Sequence, residues 1–255
     1  MIHPTAIIDA KAEIGADVEI GPYCVIGAGV TLGDGCRLQS HVTLCGPLQV
    51  GRHNHFYPYC SIGAQTQDLK YRGEPTHAII GEGNTFREFV TVHRATSPGD
   101  ATRIGNRGNF LAYVHIAHDC VVGDDVIFSN NGTLAGHVTV EDHVIIGGLT
   151  AIHQFSRIGR FAILGGCTKI VQDVPPFMIA DGNPAEIRGV NKIGMERHQF
   201  APETIRELRE AYRILYRGEL NVKQAVEAIR RDRPALPEVA HLLAFIEASG
   251  RGITR

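Results

Sequence analysis

Positions 118, 136 and 154 fall at intervals of 18 in this 255-residue chain, and chemistry-bearing residues gather around each of them. His118 is followed by Asp119, Gly136 is followed by His137, and His153 precedes position 154. A neutral imidazole, with an ordinary pKa of about 6.5, can take a proton from an alcohol near neutral pH, which is typically worth about 10² to 10⁴ in rate. An adjacent carboxylate can orient that imidazole or raise its basicity. A glycine N–H, with no side chain in the way, can donate to a developing oxyanion, an effect on the order of 10² to 10³. The expectation is therefore a general base at His118, its support at Asp119 and an oxyanion donor at Gly136. With 13 histidines in the chain, any one of them alone is more often structural than catalytic. The interval singles these out, and it has meaning only if 18 residues make one full circuit of the backbone.

The frame for such a circuit is a six-residue repeat. Every sixth residue from Ile2 is apolar: Ile8, Ile14, Ile20, Ile26, Leu32, Leu38, Leu44, Val50, Phe56 and Ile62, then Ile80, Phe86 and Val92, then Ile104 onward to Ile170 in unbroken phase. The period is too short for a helical solenoid. One inward side chain per short strand, with glycines such as Gly15, Gly33 and Gly51 following the apolar residue and available for tight turning, describes a coil with three flat sides. Stacked coils pair their backbones about 4.8 Å apart, so residues 18 apart lie above one another. Gly136 then sits over His118, and Asp119 beneath His137.

Two polar segments interrupt the hexad, at about 64–77 and 94–103, and read as loops extruded from a continuous coil, the common place for a binding face. Residues 1–174 are expected to form the β-helix. Pro175 and Pro176 are expected to stop strand pairing and to open a linker over 175–190. Residues 191–255 change to helical spacing: Ile205, Leu208, Tyr212 and Leu215; Val222, Val226 and Ile229; then Val239, Leu242, Leu243 and Ile246. These helices are expected to cap the open end of the repeat.

Composition narrows the function classes. A net charge of −2 and a pI near 6.7 give no support to nucleic-acid binding or to an anionic membrane surface. No apolar run approaches the roughly 20 residues of a membrane span, and the repeat begins at Ile2, leaving no room for a signal peptide; a cytoplasmic protein without an integral membrane segment is expected. Cys24, Cys36, Cys60 and Cys120 share one repeat phase, which suits small core fillers better than disulfides or a metal site.

Several runs carry a resemblance more specific than the hexad: Asn130–Val138 (NNGTLAGHV), His115–Cys120 (HIAHDC), Gln67–Tyr71 (QDLKY), Gly147–Phe155 (GGLTAIHQF) and Gln172–Pro176 (QDVPP). With both loops and the helical tail, the chain resembles the UDP-N-acetylglucosamine 3-O-acyltransferases, which perform the first acylation of lipid A biosynthesis. The resemblance implies a left-handed parallel β-helix, a hand that periodicity alone does not give. It also implies a homotrimer with clefts between neighbouring β-helices, and a transfer of an (R)-3-hydroxyacyl chain from acyl carrier protein to the sugar 3-hydroxyl with no cofactor. By that resemblance His118 is the general base, Asp119 supports it and Gly136 holds the oxyanion. Gln67, Asp68, Lys70, His115, His137 and His153 line the substrate, Gly166 sets acyl length, and Asn191 and Arg197 hold the nucleotide end. The family carries a second basic residue where this chain has His198. Arg206, Arg209, Arg213 and Arg217 fall at helical spacing and could meet an acidic carrier protein, although Glu203, Glu207 and Glu210 equally make a self-neutralised face.

Two other functions are open to such a fold. An N-acyltransferase acting on a UDP-glucosamine derivative normally carries an extra N-terminal domain before its repeats, and with the hexad starting at Ile2 no such domain is expected here. A non-catalytic β-helix scaffold has no use for the His118, Asp119 and Gly136 arrangement. Some hexapeptide-repeat proteins hold zinc with three histidines, but the spacing of His115 and His118 fits that pattern poorly, and no metal is expected.

Overall fold

The computed structural model describes residues 1–255. Two- to four-residue strands form a parallel β-helix with three faces. The first face runs in nine strands from Ile7–Ile8 to Lys169–Ile170, the second in eight from Glu13–Ile14 to Arg157–Ile158, and the third begins at Glu19–Ile20. Within each strand the hexad residue turns inward. Ile26, Leu44, Ile62, Val92, Ile116 and Leu134 are all buried on the first face. On the third, the rings of Phe56, Phe86, Phe110 and Phe128 stack at 5.0, 4.9 and 5.3 Å. Cys24, Cys36, Cys60 and Cys120 are buried, free thiols, as core fillers should be.

Register follows the 18-residue circuit except at the two loops. Thr43 pairs with Ser61, but Ser61 pairs with Thr91 and Thr91 with His115. The loops thus add whole multiples of six, which is why the hexad keeps its phase across them. Both leave the first face and return on the second, at the corner that His118 occupies one coil further on.

The turning itself does not depend on the glycines that follow the apolar residues. Corners turn through left-handed residues two positions later, most of them not glycine: His41 (φ 58°), Tyr59 (66°), Asp119 (60°), His137 (62°) and Phe155 (65°). Such residues resist this conformation, and each coil offsets the cost by hydrogen bonding to the one before it, as when His137 N donates to His118 O at 3.0 Å. The glycines serve close approach. A Cβ at Gly33 would lie 2.6 Å from the Gly51 carbonyl carbon, and one at Gly159 2.3 Å from Pro176 N.

The segment 175–190, expected as a linker, continues the β-structure. Met178–Asp181 pairs with Ile163–Leu164, and Glu186–Val190 returns antiparallel to it, completing a ten-stranded third face. Pro175 and Pro176 halt pairing only briefly, because Phe177, Met178 and Ala180 again turn inward. Helices α1 (Lys192–Arg197), α2 (Pro202–Tyr216), α3 (Val222–Asp232) and α4 (Pro237–Glu247) follow. The last three lie where the helical spacing puts them, and α1 is additional. They pack against the final coils: His241 Nε2 meets Glu141 Oε2 at 2.8 Å, and the Arg157 guanidinium sits 4.1 Å over the Phe245 ring.

Candidate active site

The corner between the first and second faces gathers the chemistry. His118 Nδ1 and Asp119 Oδ2 lie 2.7 Å apart, with side chains only 14% and 9% exposed. In this contact Nδ1–H donates to the carboxylate, which leaves Nε2 as a free acceptor. Asp119 is itself held from below. Thr96 N lies 3.2 Å from each of its carboxylate oxygens, and its own N–H donates to Thr102 Oγ1 at 2.8 Å. Gly136 is stacked on the imidazole as the circuit requires, and its N–H meets no backbone acceptor. His137 Nε2 stands 3.7 Å from Asp119 Oδ2, and its ring meets that of His118 edge-on at 5.2 Å.

The loops close in on this dyad. Thr66 Oγ1 in the first loop and Thr96 Oγ1 in the second are 3.0 Å apart, so the first loop braces the residue that grips Asp119. Asp68 accepts from Lys70 N at 2.8 Å, which with the nearby His118 and His137 holds its carboxyl below the usual range. Gln67 and Lys70 are exposed on the same loop. A cleft of about 280 Å³ opens beside the dyad, lined by Gly99, Asp100, Ala101, Arg103, Asp119 and His137.

His115 lies on the first face just before the corner, its Nδ1 2.7 Å from Thr91 Oγ1. Burial, with the neighbouring His118, pushes its pKa down. Below it His93 is 7% exposed, 5.0 Å from the His115 ring centroid, and pushed down to about 4 by burial and by His115 and His118. Thr91, His93, Thr96 and Thr102 escaped the sequence reading. Their only signal was a position at the mouth of the second gap.

Other expected residues stand apart. His153 is exposed on the same corner one coil beyond Gly136. Gly166 lies on the corner between the third and first faces. There it is exposed, and an added Cβ would meet only Gly148 O at 3.4 Å. Asn191 is 3% exposed, its amide donating to Phe161 O at 2.8 Å and accepting from Gly194 N at 2.9 Å. It is the N-cap of α1. Arg197 and His198 end that helix, exposed, with His198 packed on His143 and Phe161 at the third corner. No single corner of one chain presents all the expected residues.

His118, Asp119 and His137 also bring one potential metal donor each within 4.8 Å of the others. Tetrahedral ligands about 2.0 to 2.1 Å from zinc sit roughly 3.3 Å apart. His118 Nδ1 and Asp119 Oδ2 are closer than that and face each other, the geometry of a hydrogen-bonded dyad. A larger cavity, about 960 Å³, lies on the face of α1 and α2, away from the dyad, lined in part by Lys192, Arg206, Arg209 and Arg213. The arginine row there is largely self-neutralised: Arg206 pairs with Glu203 and Glu207, and Arg213 with Glu210.

Comparison with known proteins agrees along the whole chain. The bacterial transferase hexapeptide family (six repeats) matches residues 1–34 and 11–46, and the family described as UDP N-acetylglucosamine O-acyltransferase, domain 2, matches 173–254. The chain is 51% identical over 255 residues to the acyl-[acyl-carrier-protein]–UDP-N-acetylglucosamine O-acyltransferase of Thermodesulfovibrio yellowstonii, covering 100% of this chain and 99% of that one. Among solved structures, LpxA of Acinetobacter baumannii superposes with a TM-score of 0.96 at 45% identity, covering 100% of this chain and 99% of that one. The UDP-N-acetylglucosamine acyltransferase of Bacteroides fragilis superposes at 0.97 and 37%, with both chains covered in full. The hand of the helix is therefore left, and the chain belongs to the acyl-[acyl-carrier-protein]–UDP-N-acetylglucosamine O-acyltransferase family.

Proposed function

We propose that the His118–Asp119 dyad and Gly136 carry out the family's reaction, transfer of an (R)-3-hydroxyacyl chain from acyl carrier protein to the 3-hydroxyl of UDP-N-acetylglucosamine, the first step of lipid A biosynthesis. The observation that carries this reading is the pairing of His118 Nδ1 with Asp119 at 2.7 Å, which leaves Nε2 free beside the Gly136 backbone. His118 Nε2 takes the proton of the sugar hydroxyl as its oxygen attacks the thioester carbonyl. The Gly136 N–H donates to the oxyanion, and Asp119 stabilises the imidazolium. Collapse of the intermediate breaks the C–S bond, and the imidazolium returns its proton to the departing thiolate. Gln67, Asp68, Lys70, His115, His137 and His153 surround the sugar and the acyl donor in this reading.

The homotrimer proposed here is supported by how the other residues are distributed. Gly166 and His118 occupy different corners, so a shared cleft needs a second copy. The corner that bears Gly166 also bears an exposed apolar ladder: Tyr23 is 59% exposed, Tyr59 50%, Phe89 40%, Tyr113 55% and Leu149 63%. Tyr59, Phe89 and Tyr113 stack ring on ring at 5.0 and 4.8 Å. The stripe, with His41 and Asn131 among its rungs, is suited to cover by another chain. Facing this corner of one copy to the His118 corner of the next forms a walled groove that excludes water from the thioester.

Six free cysteines, four of them buried, fit a reducing cytoplasm, and no helix is long and apolar enough to cross a membrane. The deciding experiment incubates the protein with UDP-N-acetylglucosamine and 3-hydroxyacyl carrier protein. Ester formation at the 3-hydroxyl supports the reading, and its absence, with intact fold, rejects it. Offering the 3-amino sugar alongside tells an ester-forming enzyme from an amide-forming one.

A further inference from the structure

The C-terminal segment comes back to the catalytic corner. Asp173, 1% exposed, is the anchor: its Oδ1 accepts from Arg157 N and its Oδ2 from Ser249 Oγ, both at 2.8 Å. Its backbone pairs with the tail as well, Asp173 N donating to Gly252 O and Thr254 N donating to Asp173 O. Thr254 is 3% exposed. The latch delivers Arg251 to the coil above Gly136. Arg251 Nη1 donates to Gln154 O at 2.6 Å, and Nη2 lies 3.3 Å from His153 Nδ1. Neither partner carries a negative charge, so no contact compensates the guanidinium, and the residue is exposed.

We propose that Arg251 is a phosphate-anchoring residue of the acyl-transfer site, carried to the site's edge by the latched C-terminal strand. The proposal rests on the function stated above, because both substrates of that reaction are phosphate esters. A guanidinium prefers such an anion to any neutral acceptor, through charge-assisted bonds in a planar fork. The anion is either the diphosphate of the sugar nucleotide or the phosphodiester of the carrier protein's prosthetic arm. The same contact places the His153 ring beside the guanidinium, its Nδ1 lying 3.1 Å from Gln154 O and 3.3 Å from Arg251 Nη2.

The test is steady-state transfer by the full-length protein and its R251Q and R251K forms. Three donors carry the same 3-hydroxyacyl chain on acyl carrier protein, on phosphopantetheine or on pantetheine, which lacks the phosphate. R251Q should raise KM for one phosphate-bearing substrate about tenfold or more, the usual weight of a charge-assisted bond, with partial recovery in R251K. If the donor's phosphodiester is the anion, the parent's preference for acyl-phosphopantetheine over acyl-pantetheine collapses in R251Q. If it is the acceptor's diphosphate, KM for UDP-N-acetylglucosamine rises and the donor preference stays. Unchanged KM for both substrates, or a loss confined to kcat, overturns the assignment, the latter meaning that Arg251 only holds His153. Thermal unfolding checks that the latch is intact, since its contacts come from Asp173, Ser249, Gly252 and Thr254. A parent protein inactive with both substrates rejects the function itself, whereas an active parent with insensitive variants rejects Arg251 alone.

Discussion

Gly136 and His118 are in contact one coil apart: a methyl group at Gly136 would stand 2.4 Å from the His118 Cε1 and 2.6 Å from Nε2. The glycine therefore gives the base its place as well as presenting a bare N–H. Gly136→Ala keeps the N–H but drives the imidazole aside. A misplacement of about 1 Å can cost roughly 10²-fold, so kcat should fall by at least that factor with little change in thermal stability. An alanine variant that turns over like the parent would show that the imidazole has room to shift without consequence.

His118→Ala removes the base and should lower kcat by about 10² to 10⁴. Asp119→Asn should be milder, because the amide can still hold the ring but no longer stabilises its positive charge. Loss of the nearby anion disfavours the protonated imidazole, so the acid limb of the pH–rate profile should move to lower pH. A profile that superposes on the parent's removes Asp119 from the supporting role.

How far these arrangements were legible differs by physical cause. The hexad was plain because its phase points into a narrow core filled by large apolar side chains, and the dyad followed from it because register is strict once backbones pair. Corner conformation was hidden. Left-handed positions are filled by Tyr59, Asp119, His137 and Phe155 alike, their strain offset by hydrogen bonds between coils that leave no compositional mark. The hairpin at 178–190 was masked by Pro175 and Pro176, which read as an ending although pairing resumes within two residues. Arg251 had no periodic relation to His153, being 98 positions away, and only the latch on Asp173 unites them. Asn191 was legible as a polar residue at a motif position but not as a helix cap, since its partners include Phe161 O, 30 positions distant.

Buried His93 should make stability sensitive to pH. Its folded pKa of about 4 lies below the ordinary value of about 6.5. Between those values the unfolded chain binds a proton that the folded chain does not, so stability rises with pH across that window and levels off above it. Acidifying from pH 7 toward pH 4 should cost on the order of 2 kcal/mol through this residue. His93→Gln should lose less stability than the parent between pH 7 and pH 5 in urea melts. Parallel pH dependence in the two proteins would assign the acid sensitivity elsewhere.

Acyl-chain selection is the last expectation, and it depends on two chains at once. Gly166 is exposed on its own β-helix, with only Gly148 O within reach of an added Cβ, so the fold should accept a large side chain there without loss of stability. In the trimer proposed above this corner faces the His118 corner of a neighbour, and the glycine leaves the far end of the groove open. Each methylene buried in an apolar groove contributes about 0.8 kcal/mol, close to fourfold, so two or three fitted or excluded methylenes change selectivity more than tenfold. The parent should prefer longer 3-hydroxyacyl donors, and Gly166→Met should shift the optimum to shorter ones while the melting temperature stays put. Competition among donors of graded length, run on both proteins, reads the shift. An identical length profile would place the end of the groove away from Gly166, and a sedimentation mass near 27.7 kDa instead of about three times that value would remove the facing corner altogether.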